Sequence, residues 1–273
     1  MSKFIFIDVD GTLVNSKQGV STKTIDALKA AREAGHKLVV CTGRPVNNIQ
    51  EIACHDLFDY FIFANGAGIY DNKNEMVLFE RAVSKKEILR AYSCIDHEDV
   101  VTFFISGNHR YVDKDFESKD KIAQTDTYIS APETFIRNNK ILQMIFFSKS
   151  LDKMLDLKSY IDGRKKVKYA ALSIPTQNED KATQGVMFID MVDRKCSKGY
   201  GIEKFCKMFK INKSETIGIG DGFNDIPMFE TVGQSVAMGN ANDDVKGKAN
   251  FVTKSCDEDG IAHFILTELF KKA

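Results

Sequence analysis

Phe4-Ile5-Phe6-Ile7 is an unbroken apolar run that stops at Asp8, and the same event recurs along the chain. Leu38-Val39-Val40-Cys41 stops at Thr42-Gly43-Arg44, the run 60–64 stops at Asn65-Gly66, and the run 216–219 stops at Gly220-Asp221-Gly222. Short runs with hardly a polar member suit strands buried on both faces, as in a parallel sheet. After the first run, Ile25, Ala27, Leu28 and Ala31 fall at helical spacing between Ser21, a capping residue, and Gly35, a helix terminator. Pro45 is placed for the first turn of a second helix, reaching to about Ala53. This alternation of strand and helix predicts a doubly wound α/β sheet.

The pattern then changes. Strands expected at 100–105, 110–112, 141–147, 167–172 and 186–191 follow one another, with helices at 85–95 and 151–161, which reads as an α+β module with an antiparallel sheet. The first pattern returns with a helix over 198–209, the strand 216–219 and short elements at 225–231, 235–238, 243–249, 251–253 and 261–271. The expected organisation is a core formed by residues 1–82 and 193–273, interrupted by an inserted module at 83–192. A chain of 273 residues is long enough for both.

Charge and hydropathy narrow the partners. The 38 basic and 38 acidic side chains cancel, so nothing draws the whole chain to a polyanion. The cluster Arg164, Lys165, Lys166 and Lys168 reads as a solvated loop or strand end, and no nucleic-acid partner is expected. The apolar runs are far shorter than the ~20 residues that span a bilayer, and the N-terminus has no leader pattern, so a soluble cytoplasmic protein without a membrane partner is expected. Six cysteines show neither a Cys-x-x-Cys pair nor zinc spacing and read as unpaired thiols.

Asp8, Asp10, Thr42, Asn65 and Asp221 each fall just past the carboxyl end of an expected strand, the edge where open α/β sheets bind ligands. Asp8-Val9-Asp10-Gly11-Thr12-Leu13 is not a calcium loop of the EF-hand type, because its twelfth position is Gly19 rather than Glu. Two carboxylates this close need a shared proton or a cation, and Asp221 and Asp225 add two more. A hard divalent cation, most simply Mg²⁺, is the natural partner. Magnesium commonly takes one or two carboxylates plus a phosphate oxygen, which points to a phosphorylated substrate. The Thr42 hydroxyl, the Gly43 N–H and the Lys198 ammonium suit a phosphate, and an aspartate nucleophile makes the mechanism consistent. Arg44 either reaches substrate or pins its loop.

The motifs D-V-D-G-T-L (8–13), T-G-R (42–44), S-K-G (197–199) and G-D-G-F-N-D-I (220–226), with V-A-M-G-N-A (236–241) and E-D-G-I-A (258–262), resemble the haloacid dehalogenase superfamily of phosphotransferases, in particular its Cof-type branch. The resemblance runs nearly from end to end. It implies a Rossmann-like core with an inserted α/β cap, and a hydrolase acting on phosphoric monoesters of small metabolites such as sugar or cofactor phosphates. It further implies that Asp8 attacks phosphorus to give an aspartyl-phosphate, with Asp10 as general acid and then base. Asp8, the Asp10 carbonyl and Asp221 would bind Mg²⁺, with Asp225 bound directly or from behind. Thr42, Lys198 and Asn224 would hold the phosphoryl group. Val9 stands where leucine is common, a change facing the core.

The presence of Asp10 favours a hydrolase or a mutase over an ion pump, so a phosphomutase of the phosphomannomutase type is the alternative. A non-enzymatic scaffold is disfavoured by the intact Asp8, Asp10, Lys198 and Asp221. A dinucleotide fingerprint at Gly218 and Gly220 fails because position 223 is Phe.

Overall fold

The computed structural model describes residues 2–15, 19–114, 126–173 and 186–272, and every candidate site residue lies within them. The chain divides into two compact units, one from Met1–Phe79 with Ser197–Ala273 and the other from Glu80–Cys196.

In the first unit, β1 (Phe4–Ile7) leads through α1 (Thr22–Glu33) to β2 (Lys37–Cys41), then through α2 (Val46–Gln50) to β3 (Tyr60–Phe63), β4 (Gly68–Asp71) and β5 (Met76–Glu80). Ser21 caps α1 by accepting the Thr24 N–H at 3.1 Å, and Ala27, Leu28 and Ala31 are its buried stripe. The second helix ends at Gln50, short of the expected Ala53. After Gln50 the Ile52 and His55 N–H groups bond three residues back, to the Ile49 and Ile52 carbonyls at 3.0 Å, so the chain goes on in tight turns rather than α-helix.

The inserted unit carries α3 (Lys85–Cys94), β6 (Val101–Ser106), β7 (His109–Val112), β8 (Thr127–Tyr128), α4 (Pro132–Asn138), β9 (Gln143–Ser148), α5 (Leu151–Asp162), β10 (Val167–Ser173) and β11 (Met187–Asp193). Its sheet runs β10-β11-β9-β6-β7-β8, antiparallel except for the short β7–β8 pairing. Alternate residues Phe104, Met144, Phe146, Ile189 and Met191 pack with helix residues Ile88, Met154 and Leu157. Arg164, from the basic cluster, forks onto the buried Glu87 carboxylate at 2.7 and 3.0 Å, so it neutralises an internal charge.

The chain returns to the first unit with α6 (Lys198–Phe209), β12 (Thr216–Gly220), α7 (Ile226–Thr231), β13 (Gln234–Ala237), α8 (Asp243–Lys246), β14 (Phe251–Val252) and α9 (Gly260–Phe264). The expected last helix continues beyond α9, but Ile265–Leu269 widen into a π-helical turn. The sheet order is β14-β13-β12-β1-β2-β3-β4-β5, with β14 through β3 parallel and β4 antiparallel to β3. This is a doubly wound α/β core with an inserted α+β unit. Phe205 of α6 meets Phe6 edge-on at 5.7 Å between centroids and Tyr60 at 5.1 Å, which seats that helix against the sheet. Among the described residues, no helix is long and apolar enough to cross a membrane.

Candidate active site

Parallel register brings the motifs to one edge. Ile7 pairs with Val40 on one side and Ile219 on the other, so the next residues of all three strands emerge together. Asp8 follows β1 and its N–H donates to the Ile219 carbonyl at 3.0 Å. Thr42 follows β2, donates its N–H to Ile62 C=O at 2.9 Å and is buried.

The loop after β1 closes on itself. The Asp8 and Val9 carbonyls accept from Thr12, Leu13 and Val14 amides, while the Asp10 carbonyl receives no backbone hydrogen bond among the described residues. Gly11 is left-handed at φ +77°, and a Cβ there would collide with the Asp221 carboxylate. Thr12 Oγ1 donates to Asp221 Oδ1 at 2.7 Å, joining this loop to the end of β12.

Lys198 opens α6 behind the N-cap Ser197, which accepts the Tyr200 N–H at 3.1 Å. Its ammonium is fully buried, 2.7 Å from Asp8 Oδ1 and 2.6 Å from Asp225 Oδ1. Asp225 Oδ2 accepts the Asp221 and Gly222 N–H groups at 3.0 and 2.9 Å. Asp225 is thereby an internal brace: one oxygen fixes the lysine, the other fixes the loop that presents Asp221. Gly220 is required beside it, since a Cβ would run into the Asp225 carboxylate.

The site is electrostatically loaded. Burial, reinforced by the Asp225 charge, pushes the Asp8 carboxyl well above its ordinary value against the opposing pull of Lys198. Burial pushes Asp221 up to about 6, although the Thr12 hydrogen bond opposes it. Burial would lower the Lys198 ammonium, but Asp225 and Asp8 outweigh it and hold it above the ordinary lysine range. One buried cation therefore faces three carboxylates.

Oxygens of Asp8, Asp221 and Asp225 lie within 4.8 Å of one another. An all-oxygen donor set with surplus negative charge fits a small hard cation such as Mg²⁺. Asp225 is fully buried, with one oxygen on the Lys198 ammonium and the other on two backbone N–H groups, so of the three it is the carboxylate most committed to the protein's own donors.

The remaining candidates are gathered unequally. Arg44 donates its backbone N–H to Thr42 Oγ1 at 3.2 Å, and its guanidinium forks onto Asp10. The Asp10 side chain is 62% exposed and lies outside the carboxylate cluster. Gly43 packs against the Asn65 amide, and Asn224 Nδ2 approaches Asn65 Oδ1 at 3.4 Å. Asn65 is buried within a left-handed run, Ala64 at φ +49°, Asn65 at +52° and Gly66 at +84°. Two non-glycine residues in that region mark stored backbone strain beside the site. Thr12 and Asn240 are connected to the cluster without having been singled out by spacing. Both lie inside recognised motifs, Thr12 in 8–13 and Asn240 in 236–241, but their partners Asp221 and Gly11 are remote in sequence.

Comparison with known proteins is consistent along the whole chain. The family described as haloacid dehalogenase-like hydrolase matches residues 5–265. A putative phosphatase of Bacillus subtilis, YxeH, is 30% identical over 97% of this chain and 97% of its own. The 5-amino-6-(5-phospho-D-ribitylamino)uracil phosphatase YwtE of the same organism is 28% identical, covering 96% of each chain. Among solved structures, the subclass IIB sugar phosphatase BT4131 superposes with a TM-score of 0.79 at 28% identity, covering 99% of this chain and all of that one.

Proposed function

Because this chain belongs to the haloacid dehalogenase-like hydrolases and is a phosphatase, we propose that it is a cytoplasmic, Mg²⁺-dependent phosphomonoesterase working through an aspartyl-phosphate. Its substrates are phosphate monoesters of small sugar- or cofactor-type metabolites. The observation that carries this reading is the buried Lys198 clamped between Asp8 and Asp225, with Asp221 beside them at the carboxyl edge of the sheet. Relatives named for a phosphoribitylaminouracil, for pyridoxal phosphate and for sugar phosphates support the substrate class. Six free thiols suit a reducing compartment.

In this reading Asp8 attacks phosphorus, the bond to the leaving oxygen breaks, and Asp10 gives that oxygen a proton. Asp10 then takes a proton from water as the water attacks phosphorus, and the bond to Asp8 breaks to release inorganic phosphate. Lys198, Thr42, the Gly43 N–H and Asn224 bind the equatorial oxygens. Asp8, Asp221 and the Asp10 carbonyl would hold Mg²⁺, which supplies positive charge against the phosphoryl oxygens. Asp225 acts from behind by fixing Lys198 and the Asp221 loop, and Arg44 orients Asp10. The inserted unit corresponds to the cap that the family resemblance implies.

Phosphate release from a panel of sugar and cofactor monophosphates, with Mg²⁺ or with chelator, tests the proposal. Release that requires both Mg²⁺ and Asp8 is expected. Transfer of phosphate between positions of one substrate, dependent on a bisphosphate and without net release, would replace it with a mutase.

A further inference from the structure

The segments 236–241 and 258–262 have no part in the chemistry above, yet both are tied to the turn at 254–255 that lies between them in sequence. Gly239 N–H donates to the Lys254 carbonyl at 3.0 Å, and Gly260 N–H to the Ser255 carbonyl at 2.9 Å. At their junction stands Asn240. Its Oδ1 accepts the Cys256 N–H at 2.9 Å, and its Nδ2 donates to the Gly11 carbonyl at 2.9 Å and to Asp221 Oδ2 at 3.3 Å. The opposite amide orientation would set its oxygen against a carbonyl and a carboxylate, so the contacts fix which atom is which. Asp221 is thus held at both oxygens, Oδ2 by Asn240 and Oδ1 by Thr12. The same Asn240 amide grips Gly11, in the loop that carries Asp8 and Asp10.

We propose that Asn240 is a positioning residue for cation binding: it locks the Asp221 carboxylate to the nucleophile loop, so that both arrive in ligating geometry. The inference rests on the Mg²⁺ reading of the site. A carboxylate already restrained loses little freedom when it binds a cation, and outer hydrogen-bond partners of metal ligands commonly change metal affinity by about 10- to 100-fold. Asn240 is exposed, so truncating it opens no cavity, and any effect on the site must pass through its hydrogen bonds.

The test is a Mn²⁺ titration of the full chain, reading free Mn²⁺ by electron paramagnetic resonance. Asn240→Ala should bind Mn²⁺ about 10- to 100-fold more weakly than wild type. Asn242→Ala, which removes the cap that accepts the Asp244 N–H at 2.9 Å, should leave the affinity unchanged. With Mn²⁺ saturating, the KM of Asn240→Ala for a monophosphate ester should match wild type. Wild-type affinity in Asn240→Ala overturns the inference, whereas failure of the wild type itself to bind Mn²⁺ overturns the metal reading on which it rests. Should Asn240→Ala fold poorly, Asn240→Ser, tolerated in turns but too short to reach Asp221, is judged by the same criterion.

Discussion

Arg44 grips both carboxylate oxygens of Asp10, Nε to Oδ2 at 3.0 Å and Nη2 to Oδ1 at 2.6 Å. A forked guanidinium fixes the plane of a carboxylate as well as its position, which a lysine cannot do. Asp10 is otherwise exposed, so this pair decides where the proposed acid and base points. Arg44→Ala and Arg44→Lys should therefore both lower kcat, by about 10- to 100-fold, with little change in unfolding temperature. Steady-state kinetics on both variants check this. Full activity in Arg44→Lys would show that charge alone suffices.

The two acids of the first motif should fail differently. Asp8→Asn keeps the shape of the nucleophile and removes its reactivity, so turnover should vanish while circular dichroism is unchanged. Asp10→Asn should retain a residual rate about 10²–10⁴ below wild type. Rapid quenching with a radiolabelled ester separates the steps: protein-bound phosphate in Asp10→Asn marks attack by Asp8 ahead of hydrolysis, and Asp8→Asn should carry none.

Lys198 is the one cation of the buried cluster, and removing it leaves Asp8 and Asp225 facing each other unpaired. Breaking a buried ion pair from one side typically costs about 3–5 kcal/mol. Lys198→Met should lose stability on that scale in urea unfolding with chelator present. Asp10→Asn, exposed and outside the cluster, should not.

Proton uptake gives a further signature. Burial and neighbouring carboxylates raise Asp8, and burial raises Asp221 to about 6. Between its ordinary value near about 4 and its raised value, such a carboxyl binds more proton in the folded than in the unfolded chain. Its contribution to stability is thus greatest at the acid end and falls as pH rises through that window. Metal-free protein should become less stable from about pH 4 to about pH 6 on this account. The gain in unfolding temperature from Mg²⁺ should grow over the same range, because the cation must displace those protons. Thermal unfolding with Mg²⁺ and with chelator at several pH values measures both slopes.

Much of this site is legible in the sequence because parallel strands deliver their next residues to one edge. Asp8, Thr42 and Asp221 are fixed there by where apolar runs stop, a local property. Arg44–Asp10 was not legible in that way, since two loops 34 residues apart must fold before the fork exists. Asn240 and Gly11 are separated by 229 residues, and no periodicity encodes their meeting. The short β4 was hidden within a Gly-rich stretch, and nothing in the run 46–53 marks where α2 gives way to tight turns.

Gly11 offers the sharpest separation of strain from chemistry. A side chain at Gly11 meets two penalties: a left-handed backbone at φ +77° and a collision with the Asp221 carboxylate. Gly107, in the β6–β7 turn, is also left-handed at φ +57°, but a Cβ there would meet nothing within 4 Å. Gly107→Ala should therefore cost only the backbone term, about 1–3 kcal/mol, and retain phosphatase activity in the surviving folded protein. Gly11→Ala should add displacement of Asp221, appearing as weakened Mn²⁺ binding and lost turnover beyond any fall in unfolding temperature. If both variants lost stability alike and Gly11→Ala bound Mn²⁺ as wild type does, the close approach of Gly11 to Asp221 would have no part in shaping the site.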